Sequence, residues 1–96
     1  ILQDLSKQWN IKDLSKVFKI TDTIKFHEAS LLKLNCDKAL FHLKWSPTLN
    51  YKQLIEFTGL WYYNFYKENT NMLDYTLDQI SKYEQIAVHK EIQWTK

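Results

Sequence analysis

The residues able to do chemistry crowd into one stretch, "FHEASLLKLNCDKALFHLKWSP", from Phe26 to Pro47. It holds His27, Glu28, the only cysteine, Cys36, and a second histidine, His42. Metal binding does not follow, because there is no C-x-x-C and no H-E-x-x-H; "HEASL" lacks a second histidine one turn on. A cysteine beside a helix start can have a lowered pKa, with a histidine as base. However, His42 lies six residues beyond Cys36, on a different helical face. Cys36 therefore reads as a small buried structural residue. Tyr63 and Lys67 have the Tyr-x-x-x-Lys spacing of short-chain dehydrogenases, but no glycine-rich strand–turn–helix precedes them. They read as a partly exposed helix surface. His27 and Glu28 remain, as loop residues available for ligand contact.

These positions must be held by secondary structure, and the sequence patterns predict where. Ile1, Leu2, Leu5 and Trp9 share a helical face, so residues 1–9 read as a helix that the chain enters part-way, as a chain with a trimmed tag or a piece of a longer protein would. Asn10 to Ser15 is polar and reads as a turn. "KVFKI", Lys16 to Ile20, is β-branched and aromatic and predicts a short strand; Leu31 to Leu34 predicts a second. Between them lies a loop. Asn35 is placed to N-cap a helix carrying Ala39, Leu40 and Leu43 on one face, and Pro47 ends it. Asn50 caps the next helix, where Leu54, Thr58, Trp61 and Phe65 form a stripe with Ile55 and Tyr62 beside it. Asn71 caps a last helix with Leu73, Leu77, Ile80 and Tyr83 inward; residues 87–96 extend it or fray.

Composition narrows the function classes. The 96 residues suit a single domain, and 45% hydrophobic with 16% aromatic residues is too apolar for a disordered chain. One glycine and one proline favour helices over a many-stranded sheet. The formal charge is +2, and all 13 basic residues are lysines scattered among acids. Nucleic acid would call for a clustered basic footprint, and none is present. The four tryptophans are spread over several elements and read as packing residues. A lone cysteine gives no disulfide framework and fits a reducing compartment. With no apolar run of membrane-spanning length, a cytoplasmic location is expected and no membrane partner.

The order of features carries more than any single residue. His27-Glu28-Ala29, Leu32-Lys33-Leu34-Asn35 and Cys36-Asp37-Lys38-Ala39 are followed by Leu43-Lys44-Trp45-Ser46-Pro47, Trp61-Tyr62 and Met72. This succession resembles the C-terminal segment of CDP-glucose 4,6-dehydratases, sugar-nucleotide enzymes of the extended short-chain dehydrogenase family. The lysine-alanine helix start and the tryptophan-proline stop recur across that superfamily, and His-Glu-Ala points to the CDP-glucose branch.

The resemblance implies a parent enzyme that binds NAD in an N-terminal Rossmann domain. That enzyme takes a hydride from glucose C4, eliminates water across C5 and C6, and returns the hydride to C6, giving CDP-4-keto-6-deoxyglucose. It implies that residues 1–96 are one partial, substrate-binding domain, mainly α with two short β-strands, whose Rossmann domain is missing. By the same resemblance Lys25, His27 and Glu28 contact the CDP-sugar, Lys25 standing where relatives often place an arginine. A lysine offers charge there without a bidentate fork. The glycine fingerprint, the catalytic Tyr-x-x-x-Lys helix and the dehydratase acid pair have no counterpart in these residues, so this chain alone holds no NAD and no catalytic group. The alternative is a stand-alone helical protein-interaction module that forms a homodimer through apolar surface.

Overall fold

Asparagines start both long helices. Asn50 Oδ1 accepts the Gln53 N–H at 2.9 Å, while Gln53 Oε1 accepts the Asn50 N–H at 2.9 Å. This reciprocal capping box satisfies donors that a helix start otherwise leaves orphaned. Asn71 Oδ1 accepts from the N–H groups of Leu73 and Asp74. The computed structural model describes residues 1–19 and 34–96. These form α1 (Leu2–Gln8), α2 (Asp37–Leu43), α3 (Tyr51–Lys67) and α4 (Met72–His89), with 3₁₀ turns at Leu14–Lys16 and Gln93–Thr95. The described protein is thus mostly helical.

α3 is the central element, with α1 and α4 packed against it. α1 approaches at Gly59, where the missing Cβ makes room for Gln8. Trp9 Nε1 donates to the Gly59 carbonyl at 3.0 Å and fixes the crossing. α4 meets α3 through polar side chains: Trp61 Nε1 donates to Thr76 Oγ1 at 2.9 Å, and Gln79 Nε2 donates to the Phe57 carbonyl at 2.9 Å. Thr76 Oγ1 in turn donates to the Met72 carbonyl at 2.6 Å, so this hydroxyl is used as both donor and acceptor. Beyond α4 the chain folds back. Trp94 stacks on Tyr83 at 6.2 Å, and Lys90 Nζ donates to the Thr48 carbonyl at 2.6 Å, tying the end of α4 to the segment before α3.

Among the described residues the buried apolar side chains are Ile55 and Ala87 alone. A core this thin leaves little of the hydrophobic gain that usually offsets chain entropy. Three non-glycine residues take left-handed backbone at helix ends: Asn10 (φ 56°), Lys44 (φ 55°) and Glu91 (φ 52°). With a single glycine in the chain, used at the α1–α3 crossing, these ends have none to spare.

Several sequence expectations change. Lys16 closes a 3₁₀ turn, and residues 17–19 form no strand. The cause is Asp13, whose Oδ1 accepts from both the N–H and the hydroxyl of Ser15 and bends the chain. Ile20 lies outside the described residues, as do residues 31–33 of the second expected strand; Leu34, its last residue, is exposed and outside any strand. The N-cap of α2 is Cys36, and Asn35 acts one residue earlier, accepting the Asp37 N–H at 2.7 Å. Cys36 is exposed, not buried. On α2 Leu40 and Leu43 face solvent and Ala39 is half-buried. On α3 the buried positions are Ile55 and Gly59, beside the expected stripe and not on it. On α4 Leu73, Leu77 and Ile80 are exposed; Tyr83 is half-buried as expected, and Thr76 and Gln79 join it. Hydrophobic periodicity finds an apolar stripe without showing what covers it, and the less exposed face of α4 combines Met72, Tyr83, Ile86 and Ala87 with the polar Thr76 and Gln79. Of residues 87–96, expected to extend α4 or fray, those up to His89 extend it, and the rest folds back into the 3₁₀ turn instead of fraying.

Candidate functional site

Lys25, His27 and Glu28 lie outside the described residues. The described candidates are on α2, where Cys36 and His42 are both exposed and lie at opposite ends of a two-turn helix. His42 packs its ring edge-on against Phe41 at 5.0 Å. Nothing brings it to the thiol. Among the described residues no group of three or more His, Cys, Asp or Glu is placed to hold a metal, and no helix is long and apolar enough to cross a membrane.

Tyr63 and Lys67 are held by α3 against α1, and their partner is Trp9. The Tyr63 ring meets Trp9 edge-on at 6.0 Å, and Lys67 Nζ stands 5.9 Å from the Trp9 ring. Cation and ring edge both suit the negative face of the indole. Tyr63 is half-buried and Lys67 exposed, the helix surface that the sequence predicts. The pair is spent on packing one tryptophan.

The α1–α3 junction also forms an open cavity of about 340 Å³, which the sequence did not disclose. Leu5, Trp9 and Val17 line one side, and Gly59, Tyr62 and Tyr66 the other. Its size falls at the lower end of small-molecule sites, and its lining is mainly apolar, with Ser6, Lys16 and Thr58 the non-aromatic polar residues in it. The only sequence signal for it is the Tyr62/Tyr66 pair at helical i,i+4 spacing, whose rings stack at 6.3 Å. A parallel pair, Trp61 and Phe65, stacks at 5.6 Å one residue earlier.

The electrostatics are local. Tyr51 Oη donates to Asp4 Oδ2 at 2.7 Å, joining the starts of α1 and α3. That hydrogen bond, with a weaker one from Lys7, holds the Asp4 carboxyl below the usual range. The same bond raises the Tyr51 hydroxyl above its ordinary value. On α4, Lys82 Nζ pairs with Asp78 at 2.7 Å, an i,i+4 contact on an exposed face that raises the lysine. None of these groups faces the cavity. Comparison with protein families, curated proteins and solved structures gives no match to this chain.

Proposed function

We propose that the chain is the substrate-binding C-terminal segment of a CDP-glucose 4,6-dehydratase-like enzyme. The observation that supports the reading is where the helices begin and end. α2 starts at Asp37-Lys38-Ala39, and its left-handed end at Lys44 leads directly into Trp45-Ser46-Pro47. α3 carries Trp61-Tyr62, and α4 opens on Met72. The starts of α2 and α4 agree with the motif order of the resemblance, whereas α3 runs past Trp61-Tyr62 to Lys67. In this reading Lys25, His27 and Glu28 form the nucleotide-contacting loop. Lys25 supplies charge to the pyrophosphate, and His27 and Glu28 supply directional hydrogen bonds. NAD, bound by a separate Rossmann domain, would supply hydride acceptance at C4 and its return at C6. This chain has one glycine and no dinucleotide fingerprint, so no step of that chemistry is assigned to its residues.

The test uses the full-length product of the source reading frame. Incubated with CDP-glucose and NAD, it is expected to yield a product lighter by one water, read by mass spectrometry. In that protein His27→Ala and Glu28→Ala are each expected to weaken CDP-glucose binding roughly tenfold by calorimetry, the worth of one charge-assisted hydrogen bond. No dehydrated product, with no glycine fingerprint and no Tyr-x-x-x-Lys upstream, refutes the reading.

A second reading, a helical interaction module, is favoured by one specific observation: α4 turns Leu73, Leu77 and Ile80 to solvent.

A further inference from the structure

The exposed apolar residues of α3 and α4 adjoin. On α4, Leu73, Leu77 and Ile80 recur at the four- and three-residue steps of a helix-packing seam. On α3, Leu54 and Phe65 share the stripe that includes Trp61, and Tyr62 lies beside it. Trp61 bonds to Thr76, and Leu73 and Ile80 stand three residues before and four after Thr76, one turn to either side. Phe65 stacks on Trp61, so the two stripes meet across that hydrogen bond.

We propose that this face is the interface of a two-fold dimer, its occupant being a second copy of the chain with α4 packed antiparallel on α4. This deepens the reading of the chain as an interaction module. Three observations select the occupant. The first is area. Leu73 is 68% exposed, Leu77 55%, Ile80 48%, Leu54 52%, Tyr62 48% and Phe65 52%. At the surface areas of large side chains that is roughly 500–600 Å² per copy. It matches the largest patch a monomer ordinarily tolerates, and two copies reach the roughly 1,000 Å² at which specific interfaces begin. The second is self-complementarity. An apolar patch without a charge pattern fits itself, as a two-fold interface demands. The third is charge spacing. Glu84 is the next residue of the seam, seven residues from Leu77. With the axis at Leu77, each Glu84 lies about 10 Å from it. The two carboxylates then fall about 20 Å apart, beyond the screening length of about 8 Å. A parallel pairing would set them side by side.

The experiment is sedimentation equilibrium on the 96-residue chain at tens of micromolar. Twice the chain mass is expected. Leu77→Glu places two carboxylates at the axis and removes both leucines, and is expected to weaken the dimer roughly 100-fold or more with helical circular dichroism unchanged. Leu43→Glu, on exposed α2, is expected to leave the dimer intact. If Leu77→Glu loses helix, Phe65→Gln serves in its place, since Phe65 is half exposed and its ring lies in the same face. A monomeric wild type, an open series of larger species, or a Leu77→Glu chain that dimerises as wild type overturns the proposal. Binding of an anilinonaphthalene sulfonate dye separates its failure from that of the module reading. A monomer that binds dye still offers a docking face, whereas a monomer that binds none removes both.

Discussion

Gly59 of α3 faces Gln8 of α1 at a separation that admits no side chain. A Cβ at position 59 would stand 2.8 Å from Gln8 Cγ and 2.9 Å from Gln8 Cβ. One hydrogen atom in the middle of a 17-residue helix therefore sets how close α1 can come. It also sets whether Trp9 reaches the Gly59 carbonyl.

Gly59→Ala tests that relationship, because two effects oppose each other. Alanine gains about 1 kcal/mol of helix propensity over glycine. Overpacking a close contact costs about 1–3 kcal/mol. The clash wins, since Gln8 Cβ is fixed to the α1 backbone and cannot swing aside. A net loss of about 1 kcal/mol is expected, lowering the thermal midpoint by about 4–8 °C. An unchanged or higher midpoint would show that α1 slides at no cost.

The helix starts give a second test, with an internal control. Asn50→Ala removes a capping box, and Asn71→Ala removes an acceptor shared by two N–H groups. Each is expected to destabilise the chain by about 1 kcal/mol in urea unfolding. Cys36 occupies the same position on α2 but its side chain makes no cap bond. Cys36→Ala is expected to change stability little, and an effect equal to the asparagine variants would contradict the assignment.

The caps of α3 and α4 were legible in the sequence because they are local, while that of α2 falls on Cys36, one residue beyond the expected Asn35. An asparagine oxygen reaches N–H groups two or three residues on, whatever the rest of the chain does. The core was less legible. Leu73, Leu77 and Ile80 have the spacing of an inner face, yet α4 meets α3 through Thr76 and Gln79. Periodicity cannot rank two adjacent faces that both carry apolar residues, and Met72, Tyr83, Ile86 and Ala87 lie on the less exposed one. At the start of the strand expected from Lys16, Asp13 binds Ser15 and draws Lys16 into a 3₁₀ turn. Of the candidate site, Tyr63 and Lys67 were read as helix surface, but their shared partner, Trp9, lies more than fifty residues away in the sequence. The loop residues Lys25, His27 and Glu28 rest on motif order alone.

A pH dependence follows from Asp4 and Tyr51. The Tyr51 hydroxyl bond depresses the Asp4 carboxyl, so its contribution is present above the ordinary carboxylate value, about 4, and is lost as pH falls through the folded value. The same bond raises Tyr51, so that contribution is present below about 10 and is lost as pH rises through the folded value. Stability from this bond is thus confined between the two. Tyr51→Phe removes the donor. Carboxyl NMR is expected to show Asp4 titrating closer to the ordinary range, and the thermal midpoint is expected to fall less steeply toward both extremes. An Asp4 titration unmoved by the substitution would assign its depression to Lys7 instead.

The left-handed helix ends allow a stabilising prediction with a definite order. A non-glycine residue there carries about 1 kcal/mol or more of strain, and glycine relieves it at the cost of a freer unfolded chain. At Lys44 a second effect subtracts, since Lys44 Nζ stands 5.9 Å from the Phe41 ring. An exposed contact of that kind is worth about 0.5–1 kcal/mol. At Glu91 a second effect adds, because a carboxylate just beyond the end of α4 opposes the helix dipole by about 0.3–1 kcal/mol. Asn10 tolerates the left-handed region by its own chemistry and gains least from relief of strain. Glu91→Gly is therefore expected to stabilise by about 1 kcal/mol, and Lys44→Gly and Asn10→Gly to stay near zero. Urea unfolding of the three variants decides it. If Lys44→Gly stabilises more than Glu91→Gly, the end charges count for less than the strain, and the dipole argument at α4 fails.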